Sequence, residues 1–114
     1  DGSRWYNGGE NQYTDLQVYV PLALLMPRPL LNRPLHGRYL DVLLTHAPPL
    51  GLHDGRDPCH RGFRALLWFM RVFKPRYLVH GHIHLYSADA VRVSSYDQTT
   101  VVNAYDHALI EVPK

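Results

Sequence analysis

Two short apolar runs, each leading into a histidine-bearing turn, constrain this chain more than any other feature. Asp41-Val42-Leu43-Leu44-Thr45 leads into His46-Ala47-Pro48-Pro49, and Arg76-Tyr77-Leu78-Val79-His80 leads into Gly81-His82-Ile83-His84. A nearly all-apolar run bounded by turn residues reads as a strand buried on both faces of a parallel sheet. Between the two runs, Asp57-Pro58 offers an N-cap and a proline at the first helical position. Phe63, Leu66, Leu67, Met70 and Phe73 then recur at the spacing of an amphipathic helix, with Arg64 and Arg71 off the stripe and Lys74-Pro75 as its end. A strand-helix-strand unit makes the strands parallel and the crossover right-handed. Both histidine turns then lie past strand ends, where open α/β sheets bind their ligands.

The flanking segments are less patterned. Residues 1–13 read as an ordered surface loop rich in Gly, Asn and aromatic residues. Thr14-Asp15 can cap a helix through Leu16, Val20, Leu24 and Leu25, which Pro21 would kink or shorten. Pro27 to Gly37 reads as a connector, closed by a turn at Gly37-Arg38. The stretch from His46 to Arg61 is long for an ordinary connection, and loops of that length tend to carry function. After His84, Val91–Ser94, Thr99–Asn103 and Ala108–Val112 read as an antiparallel meander, with turns at Tyr96-Asp97-Gln98 and Tyr105-Asp106-His107.

Composition narrows the function classes. At 114 residues, 46% hydrophobic and 19% charged, the chain is sized for one globular core. A net charge of +2 with scattered arginines argues against a nucleic-acid surface. No window supplies the roughly 18 to 20 apolar residues that a membrane helix needs, because Pro21, Pro27, Arg28, Pro29 and Arg33 interrupt the most apolar stretch. The opening from Asp1 has neither a basic nor an apolar leader region and is expected to be an internal segment. A single cysteine, Cys59, cannot close an internal disulfide, which fits a cytoplasmic setting.

Eight histidines are the compositional anomaly. His46 follows a buried strand, and the rigid Pro48-Pro49 step fixes the chain's exit. Gly81 permits close backbone approach ahead of His82 and His84, and imidazole is a common ligand for Zn, Fe and Mn. Two histidines one residue apart on a turning loop can each serve one ion of a pair set about 3.5 to 4 Å apart. His53, Asp54 and His60 are candidates for the substrate mouth, and His80 for orienting a ligand from behind. Asn103 is a hydrogen-bonding candidate. Cys59 lacks a basic partner and is not expected to be a nucleophile, and His36 and His107 read as surface residues.

The order Thr45-His46-Ala47-Pro48-Pro49, helix, Lys74-Pro75, strand, Gly81-His82-Ile83-His84 resembles the last two signature blocks of the calcineurin-like metallophosphoesterases. Gly2-Ser3-Arg4-Trp5-Tyr6-Asn7, Gln12-Tyr13-Thr14, His60-Arg61-Gly62-Phe63 and Val101-Val102-Asn103-Ala104-Tyr105 resemble a bacterial branch of them. The resemblance implies an α/β fold, the C-terminal part of a four-layer α/β/β/α sandwich. Residues 1–114 would be one partial domain lacking the N-terminal ligand motifs. It also implies hydrolysis of phosphate mono- or diesters by a hydroxide that two divalent ions (Mn, Zn, Fe or Co) activate. His46 and His82 would share one ion and His84 would hold the other. The family's Asp-x-His, Gly-Asp and Gly-Asn-His blocks are not in this sequence, so the chain alone is expected to be inactive. A truncated sheet would also expose an edge able to self-associate.

Two alternatives stay open. His80-Gly81-His82-Ile83-His84 matches the bare spacing of the histidine-triad nucleotide hydrolases, which use a histidine nucleophile. That family wants an apolar residue where Gly81 stands and has no use for the Thr45–Pro49 block. The other alternative is a non-catalytic interaction module derived from the enzyme fold.

Overall fold

The computed structural model describes residues 13–113. The loop expected at the N-terminus, apart from Tyr13, and the Gly2–Asn7 and Gln12 resemblances lie outside the described residues. The chain is mixed α/β. Helices α1 (Asp15–Leu25), α2 (Pro27–His36) and α3 (Arg64–Phe73) accompany strands β1 (Val42–Leu44), β2 (Tyr77–His80), β3 (Val93–Tyr96) and β4 (Thr99–Asn103). The four strands form one sheet in the order β1-β2-β4-β3. β1 and β4 each run parallel to β2, as expected for β1, while β3 pairs antiparallel with β4.

Strand alternation and register divide the sheet into two faces. Leu43, Leu78, Val101 and Ser94 stand in one row, and His80 pairs beside Asn103 on the same face. Leu78 and Val101 are buried with Ala65, Leu66, Phe69, Met70 and Phe73 of α3 and Leu22 of α1, which makes this the core face. Phe69 and Phe73 meet at 4.5 Å between ring centroids, and Tyr39 meets Phe73 edge-on at 5.4 Å. The opposite face carries the row Leu44, Val79, Val102 and Val93. Among the described residues, the buried side chains of α1 and α3 all gather on the core face instead. The C-terminal tail reaches the opposite face, since Tyr77 Oη donates to the Glu111 carbonyl at 3.2 Å. Leu44 and Val93 remain 76% and 56% exposed.

Four details depart from the sequence reading. β1 is an edge strand with Val42 and Leu44 exposed, not a strand buried on both faces. Residues 27–36 form a helix, not a connector: Pro27 and Pro29 occupy the first turn, where N–H groups have no intrahelical acceptor anyway, and Pro34 lies inside the helix in its last turn. Gly37, at φ 77°, caps its C-terminus in the left-handed region that glycine adopts without strain. α3 begins at Arg64, not at Asp57: the Asp57 carboxylate is taken by His60, and the Ala65 N–H is met at 3.2 Å by Asp15 Oδ1 from α1. Its buried stripe includes Ala65 and Phe69, with Leu67 half-buried. Finally, residues 108–112 form no strand. Arg92 gathers the carbonyls of Asn103, Tyr105 and His107, and Arg76 takes that of Pro113, so these acceptors are satisfied by side chains rather than by a ladder.

The expected cap at Thr14 is present as a full capping box with Gln17. Pro21 sits inside α1 without ending it. The packing of Val18, Tyr19 and Leu22 against the core holds the helix together where propensity alone would break it. Among the described residues, no helix is long and apolar enough to cross a membrane.

Candidate functional site

The parallel ladder of β1 and β2 continues past both strand ends. Thr45 N–H donates to the Val79 carbonyl at 2.9 Å, and Gly81 N–H donates to the His46 carbonyl at 3.1 Å. Thr45 Oγ1 then closes the turn by donating to the Ala47 carbonyl at 2.8 Å. Pro48 and Pro49 are buried, and Phe63 N–H donates to the Pro48 carbonyl. The Pro-Pro step therefore anchors the long loop to the start of α3. These backbone bonds set the two histidine turns side by side.

Across this junction His46 Nε2 lies 3.1 Å from His82 Nδ1. His82 Nε2 is 2.9 Å from the Cys59 carbonyl. A carbonyl only accepts, so Nε2 carries a proton, and in the neutral ring Nδ1 presents its lone pair toward His46. Metal-bound histidines almost always donate their second N–H to such a carbonyl or carboxylate, which fixes tautomer and ring angle. Two nitrogens each about 2.1 Å from one four- or six-coordinate ion stand about 3.0 to 3.4 Å apart. The His46–His82 spacing falls in that range, and both groups are of the type that holds Zn or Mn.

His84, expected to serve a neighbouring ion, is turned elsewhere. Its Nδ1 is 3.0 Å from Tyr86 Oη, and its ring stacks on Tyr105 at 4.7 Å. Among the described residues, no three His, Cys, Asp or Glu side chains are grouped so as to hold an ion together.

The other candidates fall into two sets. His60 Nδ1 donates to Asp57 Oδ2 at 2.6 Å, and its ring lies 5.4 Å from that of His82, at the rim of the site. This hydrogen bond, more than the charge of His60, holds the exposed Asp57 carboxyl below its ordinary range. Asp54 accepts the Gly62 N–H at 2.9 Å and shapes the loop. His53 and His80 form a second pair, 3.1 Å between His53 Nδ1 and His80 Nε2, with Ser94 Oγ 2.7 Å from His53 Nε2. Asn103, fully buried, donates from Nδ2 to the Ile83 carbonyl at 2.9 Å and pins the Gly81–His84 turn. Cys59 is exposed and free.

Ser94, Tyr86, Tyr105 and the Cys59 carbonyl escape the sequence reading. A backbone carbonyl leaves no trace in residue type. For Ser94, the one available signal was its place on the same strand face as Tyr96, in a β-segment otherwise read as unremarkable.

Burial pushes both His53 and His80 below the ordinary imidazole value of 6.5, and for His80 the neighbouring His53 and His82 add to the effect while its bond to Gly81 opposes it. Below pH 6.5 the unfolded chain takes up protons at these positions more readily than the folded chain does. Their contribution to stability is thus complete above 6.5 and lost as pH falls through the lower folded values. The urea midpoint is expected to fall from about pH 7.5 to about pH 5, and less steeply in His53→Asn. A midpoint that rises on acidification would contradict a neutral buried pair.

No family model matches the chain, and no solved structure matches it. Among curated proteins it is similar to the UPF0046 protein K07C11.7 of Caenorhabditis elegans, 38% identical over 64 residues. The match covers 56% of this chain and 21% of that protein, so the chain spans about a fifth of its relative's length.

Proposed function

We propose that the chain is the C-terminal, metal-binding part of a calcineurin-like metallophosphoesterase, which hydrolyses phosphate mono- or diesters. The observation that carries this reading is the His46 Nε2 to His82 Nδ1 approach of 3.1 Å, with the Cys59 carbonyl fixing the tautomer of His82. His46 and His82 hold one divalent ion, and His84, two residues along the same turn, is the ligand left for a second.

The open apolar sheet face supports the accompanying fold proposal, a four-layer sandwich in which a second sheet covers Leu44 and Val93. The 21% coverage of a longer relative is consistent with most of the domain lying elsewhere. When bound, the ions supply Lewis-acid stabilisation of phosphate oxygens and lower the pKa of a coordinated water. This chain's own residues orient and exclude. The Pro48-Pro49 anchor and the Gly81 N–H to His46 carbonyl bond fix the ligand spacing, and the Asp57–His60 pair at the rim faces incoming substrate. Three imidazoles are too few ligands for a pair of ions, each wanting about four or more. The chain alone therefore binds metal without turnover.

The test compares this chain with its full reading frame on a phosphomonoester and a phosphodiester, with Mn²⁺ or Zn²⁺ added. Activity is expected in the longer protein only, with loss on chelation. Hydrolysis by the short chain that survives chelator would overturn the proposal in favour of a covalent histidine mechanism.

A further inference from the structure

The sharpest backbone feature beside the site is at His82 itself, whose φ is 63°. Ile83 N–H reaches back to the Gly81 carbonyl at 2.7 Å, closing a three-residue γ-turn around it. A non-glycine residue in this region costs of order 1 to 3 kcal/mol and persists only where its surroundings over-determine it. The Gly81 carbonyl has a second donor, His80 Nδ1, at 3.0 Å.

With both rings neutral, the proton positions follow outward from that carbonyl. His80 must be protonated on Nδ1, so its Nε2 accepts from His53 Nδ1–H, and His53 Nε2 accepts from the Ser94 hydroxyl. The chain starts on β3, passes through the long loop and ends on the turn after β2. Of its two rings, His80 is interior at 1% exposed and His53 is half-buried, and among the described residues no buried side-chain polar atom lacks a partner. His53 also holds a left-handed φ of 59°. An apolar residue would fill the same space without desolvating two imidazoles, which leaves orientation as the gain.

We propose that Ser94, His53 and His80 are positioning residues for His82. Acting through the Gly81 carbonyl, they hold the γ-turn that aims His82 Nδ1 at His46. The geometry stands independently, while its effect on a bound ion rests on the metal reading given above.

Zinc affinity, measured by calorimetry on the whole chain, is expected to fall about 10- to 100-fold in His53→Leu, the loss typical of removing an outer partner of a ligand. His53→Asn, which keeps a donor near the Nδ1 position, should recover most of it, and Ser94→Ala should give an intermediate loss. His36→Ala serves as the control. In the metal-free chain, imidazole ¹H–¹⁵N spectra should show His53 and His80 protonated on Nδ1. Exchange of the Ile83 amide should quicken by roughly tenfold in His53→Leu. Unchanged Ile83 exchange, or the opposite tautomers, overturns the positioning chain whatever the metal does. Wild-type chain that binds no zinc, with the exchange effect intact, overturns the metal reading and leaves the positioning chain standing.

Discussion

His82→Ala is expected to cost the chain at least about 100-fold in Zn²⁺ affinity, more than the loss expected for any outer partner. The reason is geometric. His82 Nδ1 and His46 Nε2 are two nitrogens already at 3.1 Å, brought there by the bond between Gly81 N–H and the His46 carbonyl. Removing either imidazole turns a chelate into a single ligand, so His46→Ala should match His82→Ala. His84→Ala should weaken the same ion by less than about threefold, because that imidazole is engaged with Tyr86 and Tyr105 rather than with the pair. Calorimetric titration of the three variants separates the cases. Equal losses in all three would mean that His84 rotates into the same ion, contrary to the arrangement seen.

Gly62→Ala should be the most damaging alanine substitution among the described glycines, lowering stability by about 3 kcal/mol or more. A Cβ there would press on the Pro49 carbonyl group and come within 2.6 Å of Leu50 N, all of it backbone with no side chain able to give way. These atoms belong to the bridge between Pro49 and Phe63, and Gly62 N–H is the donor that holds Asp54. The loop carrying His53, Cys59 and His60 would therefore shift together with the stability loss. Gly37→Ala is the contrast. It faces open space at φ 77°, and only the left-handed backbone is strained, at about 1 kcal/mol. Urea unfolding of both variants checks the ranking.

The parts of the fold legible in the sequence were those where one local rule acted alone. β1, β2 and β4 stand within a residue or so of the apolar runs that mark them, and the hairpin turns where Asp97-Gln98 signals it. α2 was hidden because proline reads as a breaker unless it falls in the first turn, where Pro27 and Pro29 sit, and Pro34 inside the helix reinforced that reading. α3 was placed too early for a related reason. Asp57 has the chemistry of a cap, but its carboxylate is claimed by His60, and the helix is capped across space by Asp15.

The site divides the same way. The two histidine turns could be placed together from sequence because they follow adjacent parallel strands, whereas the pairing of His46 with His82 in particular came only from the family resemblance. The diversion of His84 depends on Tyr105, and the seat of His53 on Ser94, contacts that only the folded sheet creates.

The strand order also carries a kinetic consequence. The β3–β4 hairpin joins neighbours in sequence, but β2 must find Val42 on one side and Thr100 on the other, each across a long intervening segment. Loop-closure entropy has to be met before those parallel pairings return anything, so they form late and slowly. His46 and His82 meet only when β1 has docked on β2. The histidine pair is thus assembled at the closing step of folding, and a nascent or partly folded chain offers an ion no preformed chelate.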